Sequence, residues 1–430
     1  MRGLVISAPS SGQGKTVITL GLLRALRLRG VRVASAKSGP DYIDPAFHTV
    51  ATGHPSVTLD AWAAGPARLR ARAAMLAGVA ERLVVEGAMG VFDGGVSDGP
   101  VGRGATAEVA AALGLPVILV LDAAGMGQTA GAIAAGLAGA TPGVEIAGVI
   151  LNRVASPRHG AMLRAGLAPV CPVIGEIPKE ADLHLPSRHL GLVQARETAA
   201  LEGQIARIAA VIGAACDLDA LMALAASLAH GGQNVPMPPL GQRIAVARDD
   251  AFSFAYWHQI EDWRAAGAEI SFFSPLADQG PEAGSDAVFL PGGYPELHAC
   301  TLAAADIFRA AMAAVAARGA LIYGECGGYM VLGEALVDAQ GTGHRMLGLL
   351  RVETSFHQRK RHLGYRTVRG QAPLAGPFAA HEFHYSTTLS EAGTPLFDTA
   401  FDAAGARLPP MGLRDGRVMG SFAHLIEVAD

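Results

Sequence analysis

The stretch "SAPSSGQGKT", Ser7 to Thr16, ends in Gly14-Lys15-Thr16 and lies between an apolar run and a helical one. That is the context of a phosphate-binding loop. Gly12 and Gly14 let the backbone turn its N–H groups toward an anion, and the following helix N-terminus adds its dipole. Lys15 would reach the β- and γ-phosphates, Thr16 would hold Mg²⁺, and Gln13 belongs to the same nucleotide contact. Pro9 stands where the usual pattern has its first glycine. Its effect is limited, because the phosphate-facing donors come from residues 11 to 16.

A second group lies in "AKSGPDYIDPAFH" (36–48), where Lys37, Asp41 and Asp44 fall within eight residues at the end of an apolar run. Lys37 could neutralise a transferring phosphoryl group, and Asp41 and Asp44 could hold a metal or orient a reacting group. A solvated Asp-rich turn has the same composition. Placement carries the functional reading, since the carboxyl end of a strand in an open α/β sheet faces the ligand crevice. Glu86 in "VVEGAMGVFDG" ends another apolar run and is placed like a Walker B-type partner for Mg²⁺. Asn152 in "GVILNR" could read an adenine edge or serve as a turn residue.

The third group is built on sulfur. "YGECGGYM" (323–330) has the G-x-nucleophile-x-G form of a nucleophile elbow, with Cys326 at its centre. Small neighbours suit a cramped strand-to-helix turn, and the helix N-terminus would lower the thiol pKa. Cys171, Cys216 and Cys300 lack such neighbours and read as small core hydrophobes. An acyl-transfer thiol also needs a base and an oxyanion hole. "FLPGGYPE" (289–296) offers the strand-end pair Gly292-Gly293, with Gly327 beside the thiol. For the base, His424 in "GSFAHLIE" competes with His357, His362, His381 and His384.

The elements that must position these groups alternate along the chain. Apolar runs at 3–9, 31–37, 82–88, 116–123 and 145–154 read as strands covered on both faces. Helical patterns at 16–29, 66–80 and 105–113 separate them, which predicts a doubly wound α/β sheet. Residues 201–229 read as helical. "HGGQNVPMPPL" (230–240) is rich in Gly and Pro and reads as a linker. A second α/β series follows at 243–249, 268–275, 287–293 and 320–326. The division predicted is therefore residues 1–235 and 242–430, with the linker near 230–241.

Composition sets bounds. The net charge of −4 carries no global nucleic-acid footprint. Four scattered cysteines, with no CxxC pair, fit a reducing, cytoplasmic setting and argue against a disulfide framework or structural zinc. The chain enters a strand pattern at once, so no signal peptide is predicted, and charges or glycines interrupt every long apolar stretch before it could span a membrane.

Taken together, the motifs are specific. The thiol half resembles a class I glutamine amidotransferase domain of the cobyrinic/cobyric acid kind. The phosphate-loop half resembles dethiobiotin synthetase-like activators of carboxylates. With "SAPSSGQGKT", "KSGPDYIDP", "VEGAMGVFDG", "LPGGYPE", "GECGGYM", "HEFHYS" and "GSFAHL" in this order, essentially the whole chain resembles the cobyrinic acid/hydrogenobyrinic acid a,c-diamide synthase family.

That resemblance implies ATP, L-glutamine and a corrinoid polycarboxylate as partners, with Mg²⁺ as cofactor and neither nucleic acid nor membrane. Glutamine would be hydrolysed at Cys326, with His424 raising its nucleophilicity. The other half would phosphorylate the c and then the a acetate carboxylate, and ammonia would displace phosphate. Lys15 and Thr16 would lie at the phosphates, and Asp41, Asp44 and Glu86 around metal and phosphoryl transfer. Tyr42 and Ile43 would lie beside the corrinoid, and Asn152 near adenine. Gly292, Gly293 and Gly327 would form the oxyanion hole. An ammonia path between domains would suit a tight assembly such as a homodimer.

The wider amidotransferase class places a Glu two residues after the histidine, where Ile426 stands here, with Glu427 one further on. A Cys326–His424 dyad is expected, and its third group is open. "HQRKRH" (357–362) could meet a polycarboxylate or form a solvated basic turn. "HEFHYS" (381–386) is expected as a polar loop facing the thiol. Two alternatives stand beside this reading: a nickel-sirohydrochlorin a,c-diamide synthase, and a regulatory P-loop ATPase. Ser10 counts against the second, because it stands where partition-type ATPases carry a signature lysine.

Overall fold

Seven short runs, most of them continuous in Val, Ile and Leu, lie side by side in the first part of the chain. They are β1 (Arg2–Ser7), β2 (Val33–Ser38), β3 (Val57–Leu59), β4 (Arg82–Glu86), β5 (Val117–Asp122), β6 (Ile146–Val154) and β7 (Val173–Pro178). All pair in parallel, in the order β3-β2-β4-β1-β5-β6-β7. Parallel strands need crossovers, and these are helical: α1 (Lys15–Leu28), α2 (Asp44–Thr52), α3 (Pro66–Ala74), α4 (Thr106–Leu113), α5 (Thr129–Ala140) and α6 (Pro157–Leu167). The computed structural model describes residues 1–140, 143–179, 183, 185, 187–188, 191–192 and 201–429. It divides into two compact units, Met1–Asn234 and Val235–Asp430.

The crossings place the chemistry. β1 lies between β4 and β5, so the chain passes over it on the way from β4 to β5. A crevice opens at the carboxyl ends of strands where the order reverses. The loops leaving β1, β2 and β4 all open at that edge. β3 and β7 were not expected from the sequence: β3 has three residues, and β7 is broken by Gly175 and Glu176. The 201–229 segment is two helices, α7 (Leu201–Ala215) and α8 (Leu218–Leu224), and Asp217 caps the second by accepting from the N–H groups of Asp219 and Ala220. It ends in a short strand, Ala226–Ser227, antiparallel to the start of β1.

The second unit begins with four parallel strands, β8 (Arg243–Ala247), β9 (Glu269–Phe273), β10 (Ala287–Leu290) and β11 (Leu321–Glu325). Helices α9 (Trp257–Ala265), α10 (Ala299–Ala304), α11 (Asp306–Ala317) and α12 (Gly327–Leu332) belong to it. The sequence reading stopped there, but the sheet does not. It continues through β12 (His362–Gly370), β13 (Pro377–His384), β14 (Thr394–Asp402), β15 (Met411–Asp415), β16 (Val418–Ser421) and β17 (Ala423–Val428), in the overall order β9-β8-β10-β11-β16-β15-β14-β12-β13-β17.

β16 joins β11 in parallel, and every later pairing is antiparallel. Successive residues serve opposite cores. Val288, Leu290 and Ile322 pack with Phe308 and Met312 on one face, and Phe289, Leu321 and Tyr323 pack with Trp263 and Leu425 on the other. Both faces are covered, which is why these runs read as unbroken apolar stretches. Among the described residues, no helix is long and apolar enough to cross a membrane.

Candidate active sites

The phosphate loop folds between β1 and α1. Gly12 and Gly14 take left-handed φ values of 81° and 94°, and Gly14 caps α1. The loop is pinned from two further strands. The Gln13 side chain accepts from the backbone N–H of Asp122 at 2.7 Å, and Asn152 Nδ2 donates to the Gln13 carbonyl at 2.9 Å. Asn152 therefore stands at the loop itself, with its Oδ1 accepting from Arg153 N–H. Lys15 folds back on the loop, donating to the carbonyls of Ser10 and Met89, and it is nearly buried. Burial and the nearby Lys37 lower its pKa.

Four groups converge next to it, Lys37 and Glu86 from strands and Thr16 and Asp44 from the first turns of α1 and α2. Lys37 Nζ lies 2.7 Å from Asp44 Oδ2 and 2.9 Å from Glu86 Oε1. Thr16 donates to Glu86 Oε1 at 2.6 Å and is 3.5 Å from Asp44 Oδ2. Two of these oxygens, Asp44 Oδ2 and Glu86 Oε1, already flank one cation, the Lys37 ammonium. Asp41 is used differently: its Oδ1 accepts from the N–H groups of Ile43 and Asp44 and so starts α2. Tyr42 and Ile43, in that turn, are buried.

The sequence reading missed His48. Its Nε2 lies 2.6 Å from Glu86 Oε2, both residues being fully buried. The signal was its position four residues after Asp44, one helical turn along α2 and hence on the same face.

Electrostatics separates the two carboxylates. Burial disfavours the Lys37 charge, but Asp44 and Glu86 outweigh burial and hold its pKa above the ordinary lysine value. Burial would raise Glu86, yet Lys37 and His48 hold it well below the usual carboxylate range. Asp44 is pushed up to about 6 by burial and by the charge of Asp41. Glu86 thus stays charged near neutrality, and Asp44 is the first to take a proton. Oxygen donors of this kind suit a hard divalent cation beside phosphate.

In the second unit Cys326 stands between β11 and α12 at φ 48°, ψ −106°. A positive φ is strained for a residue with a Cβ, and it is held here by its N–H donating to the Ser421 carbonyl at 2.8 Å. Gly292, at the end of β10, faces both partners of the thiol site. A Cβ added there would meet His424 Cε1 at 2.4 Å, His424 Nε2 at 3.1 Å and Cys326 Cβ at 3.2 Å. A Cβ on Gly327 would lie 3.0 Å from the Gly293 nitrogen. The glycines, the thiol and His424 therefore occupy one small space. His381 is opposite His424 in the β13–β17 register.

At rest this pair is neutral. Burial, with Glu296 nearby, pushes the Cys326 thiol up, and the Gly327 N–H opposes that shift. Burial and the neighbouring His381 and His384 lower His424 to about 3. A neutral thiol–imidazole pair can pass its proton to the histidine when an electrophile arrives between the thiol and the Gly292–Gly293 turn.

The remaining expectations fall out as follows. Glu427 is turned to His258, 3.8 Å away, and Ile426 is buried. His381–His384 are strand, not loop, because all four pair with β12 and His381 and Glu382 pair with β17 as well, and the Phe383 carbonyl lies 3.9 Å from Cys326 Sγ. Glu382 is paired with Arg366 at 2.8 Å and with His384 at 2.9 Å, and Ser386 closes that chain on His384 Nδ1. Arg359, Lys360 and Arg361 are all exposed. Cys171 and Cys216 are buried, but Cys300 is exposed on the short helix α10 and so is not the core residue the sequence suggested.

Comparison with known proteins matches one family within each unit. Residues 4–193 match the family described as the CobQ/CobB/MinD/ParA nucleotide binding domain, and residues 243–430 match the CobB/CobQ-like glutamine amidotransferase domain. Over its full length the chain is 53% identical to a hydrogenobyrinate a,c-diamide synthase of a Sinorhizobium species, the match covering 100% of this chain and 99% of that one. It is 54% identical to the protein of the same name from Rhizobium meliloti, covering 100% of both. With that of Rhodobacter capsulatus it shares 52% identity, covering 99% and 98%.

Proposed function

The chain belongs to the hydrogenobyrinate a,c-diamide synthase family, and on that premise we propose that it converts the a and c acetate carboxylates of hydrogenobyrinic acid to amides, using ATP and glutamine. The observation that carries this reading is the pairing, in one chain, of a phosphate loop beside Lys37, Asp44 and Glu86 with a thiol elbow beside His424.

In the first unit the substrate carboxylate attacks the γ-phosphorus, the bond to ADP breaks, and an acyl phosphate forms. Lys15 and Lys37 would meet the charge that develops on the transferred group. Thr16, Glu86 and Asp44 would hold Mg²⁺, which when bound neutralises phosphate charge. Asp41 shapes the turn that presents Tyr42 and Ile43 to the corrinoid, and Asn152 fixes the loop beside the adenine.

In the second unit Cys326 attacks the glutamine amide carbon while its proton passes to His424. The developing oxyanion is met by N–H groups of Gly292, Gly293 and Gly327. Ammonia leaves with that proton, water hydrolyses the thioester, and glutamate departs. Ammonia then attacks the acyl phosphate carbon and phosphate leaves, so each amide consumes one ATP and one glutamine. A homodimer is part of the same proposal and is read directly by sedimentation.

The test is parallel incubation of hydrogenobyrinic acid, cobyrinic acid and nickel sirohydrochlorin with ATP, Mg²⁺ and glutamine. The expected result is two successive carboxyl-to-amide mass changes on hydrogenobyrinic acid. Oxygen label in the substrate carboxylates should appear in the released phosphate, which a route without an acyl phosphate would not give. Turnover of nickel sirohydrochlorin alone would move the substrate, and unchanged acids with ATP hydrolysis only would favour a regulatory ATPase.

A further inference from the structure

The proposed glutaminase leaves His424 without an orienting carboxylate on its own strand, since Ile426 is apolar and Glu427 faces His258. We propose that Glu325 is the positioning residue for His424, acting on it from the strand end that leads into the thiol. This rests on the reading of Cys326 and His424 as the glutamine-hydrolysing pair.

The geometry is specific. Glu325 Oε2 lies 3.6 Å from His424 Nδ1, both side chains being essentially fully buried. A Cβ on Gly292 would meet the ring at Cε1 and Nε2, whereas Glu325 approaches it at Nδ1. The other carboxyl oxygen is clamped. Glu325 Oε1 accepts from the Tyr323 hydroxyl at 3.0 Å and from the Leu425 N–H at 3.0 Å. Leu425 follows His424 directly, so this bond ties Glu325 to the strand that carries the histidine. A carboxylate fixed on that strand's backbone, with its free oxygen toward Nδ1, selects the tautomer whose Nε2 lone pair faces the thiol.

Protonation makes the arrangement conditional. Burial lifts the Glu325 carboxyl to about 8, against the bonds from Leu425 and Tyr323. With Oε1 accepting twice, the proton of the neutral acid sits on Oε2 and points at Nδ1. His424 then holds its own proton on Nε2 and cannot take one from sulfur. Once Glu325 ionises, Oε2 accepts from Nδ1–H, and Nε2 becomes the base.

Other charged or titratable groups act on this site. His381, His384 and Glu382 of β13 act on His424, and Glu296, Glu382 and Glu325 act on Cys326. Tyr323 is the titratable group bonded to Glu325. Glu325 Oε2 lies 3.6 Å from His424 Nδ1, so the dependence assigned here follows Glu325. When the thiol proton reaches Nε2, the imidazolium keeps Nδ1–H on the Glu325 carboxylate, and charge balances across thiolate, imidazolium and carboxylate.

The experiment uses the full chain and three readouts: glutamine hydrolysis, ammonia-supported amidation, and alkylation of Cys326 by iodoacetamide followed by peptide mass as pH is raised. Glu325→Gln keeps the shape but offers an N–H to Nδ1. It is expected to slow glutamine hydrolysis by roughly 10²-fold or more and to remove the rise in Cys326 alkylation governed by this group. Ammonia-supported amidation should be unchanged. Tyr323→Phe keeps the carboxyl and deletes one bond to it, so the alkylation midpoint should move to higher pH.

Wild-type hydrolysis and an unaltered alkylation profile in Glu325→Gln overturn the proposal. So does an unmoved midpoint in Tyr323→Phe, which decides the matter should the first variant fail to fold. Loss of hydrolysis in Glu427→Gln but not in Glu325→Gln overturns it in favour of Glu427. Absence of glutamine hydrolysis in the wild type would instead sink the underlying reading of the site.

Discussion

Lys37 is the counter-ion of Glu86, which is buried, and of Asp44, which is partly buried, and His48 adds a bond that keeps Glu86 charged. Removing His48 leaves Glu86 Oε2 buried without the bond it makes at 2.6 Å. His48→Ala should therefore cost about 1–3 kcal/mol in denaturant unfolding of the first unit, and an unchanged midpoint would contradict the role given to His48. A pH dependence follows for the second unit. His424 and His381 are lowered from 6.5 to about 3 and about 4, chiefly by burial. Their folded pKa values are depressed, so the neutral forms belong to the folded state. The stability they contribute is present above pH 6.5 and is lost as pH falls through about 4 and then 3. The fluorescence of Trp257 and Trp263 should report earlier unfolding in that window, and His424→Asn should flatten the dependence. At this scale the sequence was informative about nucleophile and phosphate groups, which sit in short motifs. It was silent on His48 and Glu325, whose roles come from partners 38 and 99 residues away, Glu86 and His424.

Strand ends do the positioning in both units, and two glycines set how closely the groups approach. Gly14 has φ 94°, and a Cβ there would lie 2.4 Å from Asn152 Nδ2. Gly14→Ala combines left-handed strain of about 1–2 kcal/mol with displacement of Asn152, so ATP should bind at least about tenfold more weakly by calorimetry. Retained affinity would mean the loop does not hold the phosphates as drawn. Gly292→Ala places a methyl 2.4 Å from His424 Cε1. It should abolish glutamine hydrolysis while leaving ammonia-supported amidation in place. The parallel strands were legible because burial on both faces leaves unbroken apolar runs. The antiparallel half from β12 onward was not. There polar and apolar residues mix, as in the HLGYRTVRG stretch of β12, and long-range pairing sets the register. The two catalytic histidine candidates of β13 and β17 face each other only through that pairing.

The whole molecule joins a nucleotide-binding unit to a glutamine amidotransferase unit, and the resemblance of the full chain to one enzyme family was readable because several short motifs occur together in a fixed order. The order of strands and the identity of the groups behind each motif needed the folded chain. A functional division follows from the account. Cys326→Ser should abolish glutamine-supported amidation and leave ammonia-supported amidation intact, whereas Glu86→Gln should depress both. The most direct measurement is the fate of nitrogen. Hydrogenobyrinic acid, ATP, Mg²⁺ and glutamine labelled at the amide nitrogen are incubated with the wild type and with Cys326→Ser, each with and without unlabelled ammonium. The account predicts ATP-dependent product with label in two amides from the wild type, and from Cys326→Ser only unlabelled product, formed when ammonium is supplied. Wild-type product free of label, or labelled product from Cys326→Ser, would contradict it.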